Sequence, residues 1–299
     1  MADIKQPHTG GPQGVERDEP TGQITTGHEW DGIKELDTPM PRWWLWTFYG
    51  TIVWALGYVI LYPAWPLVHD ATRGVLGWSS RGQVQEALVE AAQAQGGFRD
   101  RIASLSLEDI RQDPELLRFA QAGGRSAFQV NCSQCHGSGA AGSVGYPNLN
   151  DDEWLWGGTL EEIHATIVNG ARFVGNDDTH VSEMPAFGDG VLDRAQIEQV
   201  ANYVLSLSGS PHDAAKAEAG APLFADNCAA CHGDAGQGDA SVGAPALNDQ
   251  IWLYSGKLDA IVAQIQRPRH GVMPAWGHRL DPTTIKELAL YVHGLGGGK

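Results

Sequence analysis

The sequence predicts an all-α protein in which one N-terminal transmembrane helix precedes two tandem copies of a small helical domain. Three observations predict it. From Trp43 to Val68 there are 26 consecutive uncharged residues, enough to hold a bilayer-spanning helix. A block of text recurs, YPNLNDDEWLWGG at 146–158 against APALNDQIWLYSG at 244–256, and the four cysteines recur with it at an offset of 96. Near the end of each copy the apolar residues fall at the helical spacing i, i+3, i+4, i+7. The chain has 299 residues, of which 42% are hydrophobic and 19% charged, which fits folded protein with room for two or three small domains.

Residues 1–42 begin with a Gly/Pro/Gln-rich stretch, HTGGPQGVERDEPTGQ, that lacks an apolar period and reads as flexible. No signal-peptide cleavage pattern follows, so residues 43–65 are expected to stay as an uncleaved anchor, with Trp43 to Tyr62 as the span. Trp43, Trp44 and Trp46 at one end and Tyr58, Tyr62 and Trp65 at the other match the aromatic belts at the two headgroup layers. Gly50 and Gly57 share one helix face, where small residues admit a partner helix. Residues 66–118 read as a helical connector that spaces the later domains from the membrane. Its first helix is expected to stop at Gly96-Gly97, Ser106-Leu107-Glu108-Asp109 resembles a capping box, and Asp113-Pro114 opens another helix.

The next two segments, 119–209 and 210–299, each carry a Cys-x-x-Cys-His run: Cys132-Ser133-Gln134-Cys135-His136 and Cys228-Ala229-Ala230-Cys231-His232. This is the attachment pattern of a c-type haem, in which two thiols add to porphyrin vinyl groups and the adjacent imidazole ligates the iron. Two covalent haem c groups are therefore expected, on Cys132 and Cys135 and on Cys228 and Cys231, with His136 and His232 as axial ligands. All four cysteines are used in this way, which leaves none for a disulfide. Thioether attachment also implies the bacterial periplasm, so the haem segments lie outside the cell membrane and the N-terminus lies in the cytoplasm. Capping signals repeat too: Thr159 with Glu162 opens a helix closed by Gly170, and Leu258, Ile261, Val262 and Ile265 hold helical spacing. Asp193 with Gln196 and Asp281 with Pro282 open the two closing helices.

Methionine usage points to the sixth ligands. Beyond Met1 and Met40 only Met184 and Met273 remain, in the matching settings Met-Pro-Ala-Phe and Met-Pro-Ala-Trp. A thioether opposite imidazole favours ferrous iron, and a full shell leaves no open site for substrate, which suits electron transfer. The competing ligands are His164, His180, His270 and His278. The loops at Pro147 and Pro245 would offer a backbone carbonyl to each proximal imidazole, and Arg172, Arg267 and Arg269 are candidate partners of haem propionates.

The net charge of −16 argues against nucleic-acid binding. Residues 119–209 carry three basic and eleven acidic side chains, half of that excess, and such a face attracts a basic partner. Zinc ribbons place their cysteine pairs closer together, and a thioredoxin-like pair needs a β-α-β context that the helical pattern does not give. The glycine-rich GSGAAGSVG after His136 lacks the ending of a phosphate loop.

The stretch GHEWDGIKELDTPMPRWWLWTFYGTIVWALGYVILYPAWP, followed by both haem motifs, resembles the dihaem subunit family (CcoP/FixP) of cbb3-type cytochrome c oxidase over residues 27 to 299. The resemblance implies two tandem class I cytochrome c domains behind a single-pass inner-membrane anchor. Cys132, Cys135, His136 and Met184 would hold the first haem, and Cys228, Cys231, His232 and Met273 the second. It also implies a non-catalytic relay that takes electrons from a cytochrome bc1 complex or a cytochrome c donor. These would pass to a monohaem cytochrome c subunit and then to the haem-copper catalytic subunit. The other readings of the same residues are an autonomous membrane-tethered carrier and a dihaem peroxidase-like enzyme.

Overall fold

The structure, a computed structural model, describes residues 16–298. The described chain is mostly helical, with two short strands, and divides into compact units up to Ala91 and from Ala92 on.

In the first unit, β1 (Thr25–Trp30) and β2 (Ile33–Leu36) form an antiparallel hairpin that pairs Trp30 with Ile33. Asp31 and Gly32 both take positive φ, 49° and 84°, as a two-residue hairpin turn requires. This hairpin is not among the elements expected from the sequence. Part of the polar stretch read as flexible lies outside the described residues, but Arg17 pairs with Ile24 and Glu16 with Lys34. Helix α1 (Arg42–Leu61) is long and apolar enough to cross a membrane, matching the expected anchor. Its last carbonyls are not left open: the amides of Val75 and Leu76 fold back to donate to Ile60 and Leu61 at 2.9 and 3.1 Å.

Helix α2 (Ser80–Ser104) runs straight through Gly96-Gly97, where the sequence predicts a stop. Two helix-interior glycines cost about 1 kcal/mol each against alanine, which long flanking runs of helix formers offset. In the second unit α3 (Leu107–Gln112) and α4 (Pro114–Asn131) start where expected, capped by the side chains of Ser106 and Asp113. Ile102, Leu107, Ile110 and Leu116 are buried, so the end of the expected connector is core rather than spacer. There follow α5 (Ser133–His136), α6 (Leu160–Asn169), α7 (Arg194–Leu207), α8 (Ala214–Asn227), α9 (Ala229–His232), α10 (Leu258–Gln266) and α11 (Pro282–His293). Thr159–Glu162 and Asp193–Gln196 form true capping boxes, and Asp281 caps α11 ahead of Pro282.

Two cores result, and they do not follow the repeats. The first joins α3, α4 and α6 to α11, through residues such as Phe128, Ile163 and Leu288. The second joins α7 to α8 and α10, through Val200, Phe224 and Ile261. Only six residues, 208–213, link α7 to α8, so the two pack as a helical hairpin. The buried Asn202 holds that link, because its Oδ1 accepts the Asp213 amide at 2.9 Å and its Nδ2 donates to the Glu198 carbonyl at 2.8 Å. With α7 taken, the apolar face of α4 is closed by α11, the last helix of the other repeat. This is an exchange of equivalent elements between two copies within one chain.

Candidate haem centres

Each Cys-x-x-Cys-His run occupies one helical turn at the foot of a longer helix. Cys132 is the C-cap of α4, and its carbonyl accepts the amides of Cys135 and His136 at 3.1 and 3.0 Å; Cys228, at the end of α8, does the same for Cys231 and His232. One turn thus brings both sulfurs and the ring to one cavity. All four cysteines are unpaired. Burial pushes the Cys132 and Cys228 thiols up to about 11, so they stay protonated at neutral pH.

The imidazoles are oriented as the sequence predicts. His136 Nδ1 lies 3.0 Å from the Pro147 carbonyl, and His232 Nδ1 lies 3.0 Å from that of Pro245. A carbonyl only accepts, so Nδ1 carries the proton and Nε2 is left for a metal. Burial, partly opposed by these bonds, holds both rings below the usual imidazole range and hence neutral. That is the form that ligates iron.

Two largely apolar cavities contain these groups. The first is lined by Cys132, Cys135, His136, Trp154, Trp276 and Met273. The second is lined by Cys228, Cys231, His232, Phe224, Trp252 and Met184. The donor set fits haem c in each: two thiols, a neutral imidazole with Nε2 unengaged, a thioether and aromatic walls.

The sequence-based expectation joins His136 with Met184 and His232 with Met273, whereas the cavity of His136 is lined by Met273 and that of His232 by Met184, so the methionine segments are exchanged between the repeats. The physical reason lies in the helix ends they cap. The amides of Trp276 and Gly277, just after Met273, donate to the carbonyls of Ile167 and Val168 at the end of α6, both at 3.0 Å. The amides of Phe187 and Gly188, just after Met184, donate to Ile265 and Gln266 at the end of α10, at 3.3 and 3.2 Å. Each Met-Pro-Ala-aromatic-Gly segment thus satisfies the orphan carbonyls of the other repeat's helix.

Of the competing histidines, His270 lines the second of these cavities, and His164, His180 and His278 line neither. His180 instead stacks on Trp156, with ring centroids 4.3 Å apart, and its Nε2 meets the Thr166 hydroxyl at 3.1 Å. Arg172 lines both cavities, Arg269 the second, and Arg267 neither. Not expected from the sequence was a wall between the cavities, which Leu155, Leu253, Arg172 and Gly271 share. The signal was present in the duplicated block, where Leu155-Trp156 aligns with Leu253-Tyr254. These aromatics too are exchanged. A Cβ on Gly145 would meet Tyr254 at 3.2 Å, and one on Gly243 would meet Trp156 at 2.4 Å.

Residues 22–69 match the N-terminal domain of cytochrome oxidase-cbb3, FixP, and residues 119–204 and 215–292 match cytochrome c oxidase, cbb3-type, subunit III. Over 281 residues the chain is 58% identical to a Rhizobium leguminosarum bv. viciae protein named cbb3-type cytochrome c oxidase subunit FixPc, covering 94% of this chain and 98% of that one. The chain belongs to the FixP/CcoP family of cbb3-type cytochrome c oxidase subunits. Other FixP/CcoP relatives include CcoP of Cereibacter sphaeroides, 55% identical over 92% of this chain and 95% of that one. FixP of Bradyrhizobium diazoefficiens is 54% identical over 95% of this chain and 98% of its own length. In this FixP/CcoP chain the FixP-type match takes in the hairpin and α1, and the subunit III match is interrupted at the link between α7 and α8. Cytochrome c domains of this family imply haem c. Tandem cytochrome c domains behind one candidate membrane helix are thus the fold class expected from the sequence.

Proposed function

We propose that the chain is a single-pass, membrane-anchored dihaem relay. It carries single electrons from a cytochrome bc1 complex or a cytochrome c donor toward the monohaem subunit and the haem-copper catalytic subunit of a cbb3-type oxidase. The observation that carries this reading is that both cavities pair a Cys-x-x-Cys-His turn with a methionine, a donor set that would leave a bound haem iron no position for substrate. When bound, haem c supplies a one-electron iron couple.

The chain's own residues do the rest. Cys132 and Cys135 hold the first group and Cys228 and Cys231 the second. His136 with Met273, and His232 with Met184, would supply the remaining donors to the two groups. The Pro147 and Pro245 carbonyls keep each imidazole in the tautomer that presents Nε2. The aromatic walls keep water away and so limit reorganisation on electron transfer. Because four residues line both cavities, the two centres are neighbours, as a relay needs. The hairpin side of α1 is cytoplasmic and residues after it periplasmic, since thioether attachment occurs there. The acidic surface of residues 119–209 supports docking of a basic partner.

Purification from native membranes in mild detergent tests the proposal. The chain should carry two haem c by pyridine haemochrome and bring haem b and copper with it. Recovery of the dihaem chain alone, or carbon monoxide binding to one of its reduced haems, would overturn the reading in favour of a free carrier or a peroxidase-like enzyme.

A further inference from the structure

Residues 170–172, directly after α6, join the segments that carry the two methionines. Ala171 exchanges two backbone bonds with Met273: its amide donates to the Met273 carbonyl at 3.0 Å, and its carbonyl accepts the Met273 amide at 2.9 Å. On the other side the Arg172 amide donates to the His180 carbonyl at 2.6 Å, and the His180 amide donates to Gly170 at 3.3 Å. His180 leads into Met184.

The Arg172 side chain repeats this connection. Its Nε donates to the Gly271 carbonyl at 2.7 Å, two residues before Met273. Its Nη1 donates to the Ser182 carbonyl at 2.9 Å, two residues before Met184. The guanidinium lies 5.7 Å from the centroid of Trp156, whose other neighbour in the stack is His180. The two bonds leave from different nitrogens held apart in one plane, a geometry that the single nitrogen of a lysine does not reproduce. The backbone of Arg172 is also held at φ +53°, a left-handed conformation that costs a non-glycine residue about 1 kcal/mol or more. The surrounding bonds overdetermine that conformation. Arg172 is, with Leu155, Leu253 and Gly271, one of the four residues lining both cavities, and the one cation among them.

We infer that Arg172 is a positioning residue for both axial methionines at once, and the shared positive charge of the two haem centres. The inference rests on the exchanged ligand pairs proposed above. Two consequences follow from one side chain. Its fork fixes the spacing of the Met184 and Met273 segments, so loosening it loosens both sulfur ligands together. Its charge disfavours ferric iron, the more positive state, on both sides of the wall, so its loss lowers both reduction potentials.

The test uses the full-length dihaem chain in detergent, as wild type and as Arg172→Gln, Arg172→Lys and Arg172→Gly. The readouts are the two midpoint potentials and the two upfield methionine methyl resonances of the reduced protein. Met184→His and Met273→His assign those resonances, and haem c content reports folding. Arg172→Gln should shift both potentials downward and broaden or weaken both resonances. Arg172→Lys should keep the potentials closer to wild type while still disturbing both resonances. Arg172→Gly relaxes the backbone and removes the fork, so it should behave as Arg172→Gln and provide the readout where Arg172→Gln fails to fold. A change confined to one centre, or unchanged resonances in Arg172→Lys and Arg172→Gly, would overturn the inference. The ligand pairs are read separately, from nuclear Overhauser contacts between each methionine methyl and the porphyrin bonded to Cys132/Cys135 or to Cys228/Cys231. Contacts that place Met184 on the first porphyrin would overturn the exchanged pairs, whatever the Arg172 variants show.

Discussion

At the scale of single residues, the wall between the cavities makes a titration visible. His180 is held below the usual imidazole range, first by burial and then by the positive Arg172 beside it. In the unfolded chain it titrates near 6.5, so between that value and its lower folded pKa the unfolded state binds more protons. The stability it contributes is full above about pH 6.5 and is lost as pH falls through that window. His180→Gln lacks this component. Wild-type Tm should therefore fall more than that of the variant when pH is lowered from about 7.5 to about 5. Thermal melts of both proteins across that range check it; parallel curves would remove His180 from the account.

At the scale of elements, helix starts were legible because their signals are local. Asp113-Pro114, Thr159 with Glu162, and Asp193 with Gln196 each act within four residues, and each caps as read. An apolar stripe, in contrast, shows which face of a helix is buried without saying against which partner. The partners are set here by close approach at glycines. A Cβ on Gly124 of α4 would lie 2.1 Å from the Glu287 carbonyl of α11, and one on Gly220 of α8 would lie 2.2 Å from the Gln199 carbonyl of α7. Neither neighbour is a flexible side-chain end, so the helices must separate. Gly124→Ala should destabilise the protein by about 1–3 kcal/mol, overpacking outweighing the gain of about 1 kcal/mol in helix propensity. Denaturant titration measures this. The same substitution should also weaken sulfur ligation at the first haem before the second, whereas Gly220→Ala should do the reverse.

At the scale of the whole molecule, the duplication was legible and the exchange between its copies was not. A repeat fixes equivalent positions, and Met184 and Met273 are equivalent whichever cavity each enters. Alongside the close approaches at glycines, the six-residue link 208–213 holds α7 against α8 and leaves α4 to α11. Truncation separates the two arrangements. A chain ending at Gly209 keeps Cys132, Cys135, His136 and Met184 but loses Met273 and α11. It should take up haem c yet lack the sulfur-to-iron charge-transfer band in the ferric state. If that band were retained at wild-type strength per haem, each repeat would be self-sufficient and the exchange would not govern ligation.

The exchange also sets an order in time. Synthesis runs from the N-terminus, so the first haem turn is complete long before Met273 and α11 have been made. Until α11 emerges the apolar face of α4 has no cover, and on the proposed pairing the first centre would have only its histidine. On that pairing, maturation of the first centre would wait for Met273 and α11. An unfinished copy would then be exposed to proteolysis before it could enter an oxidase.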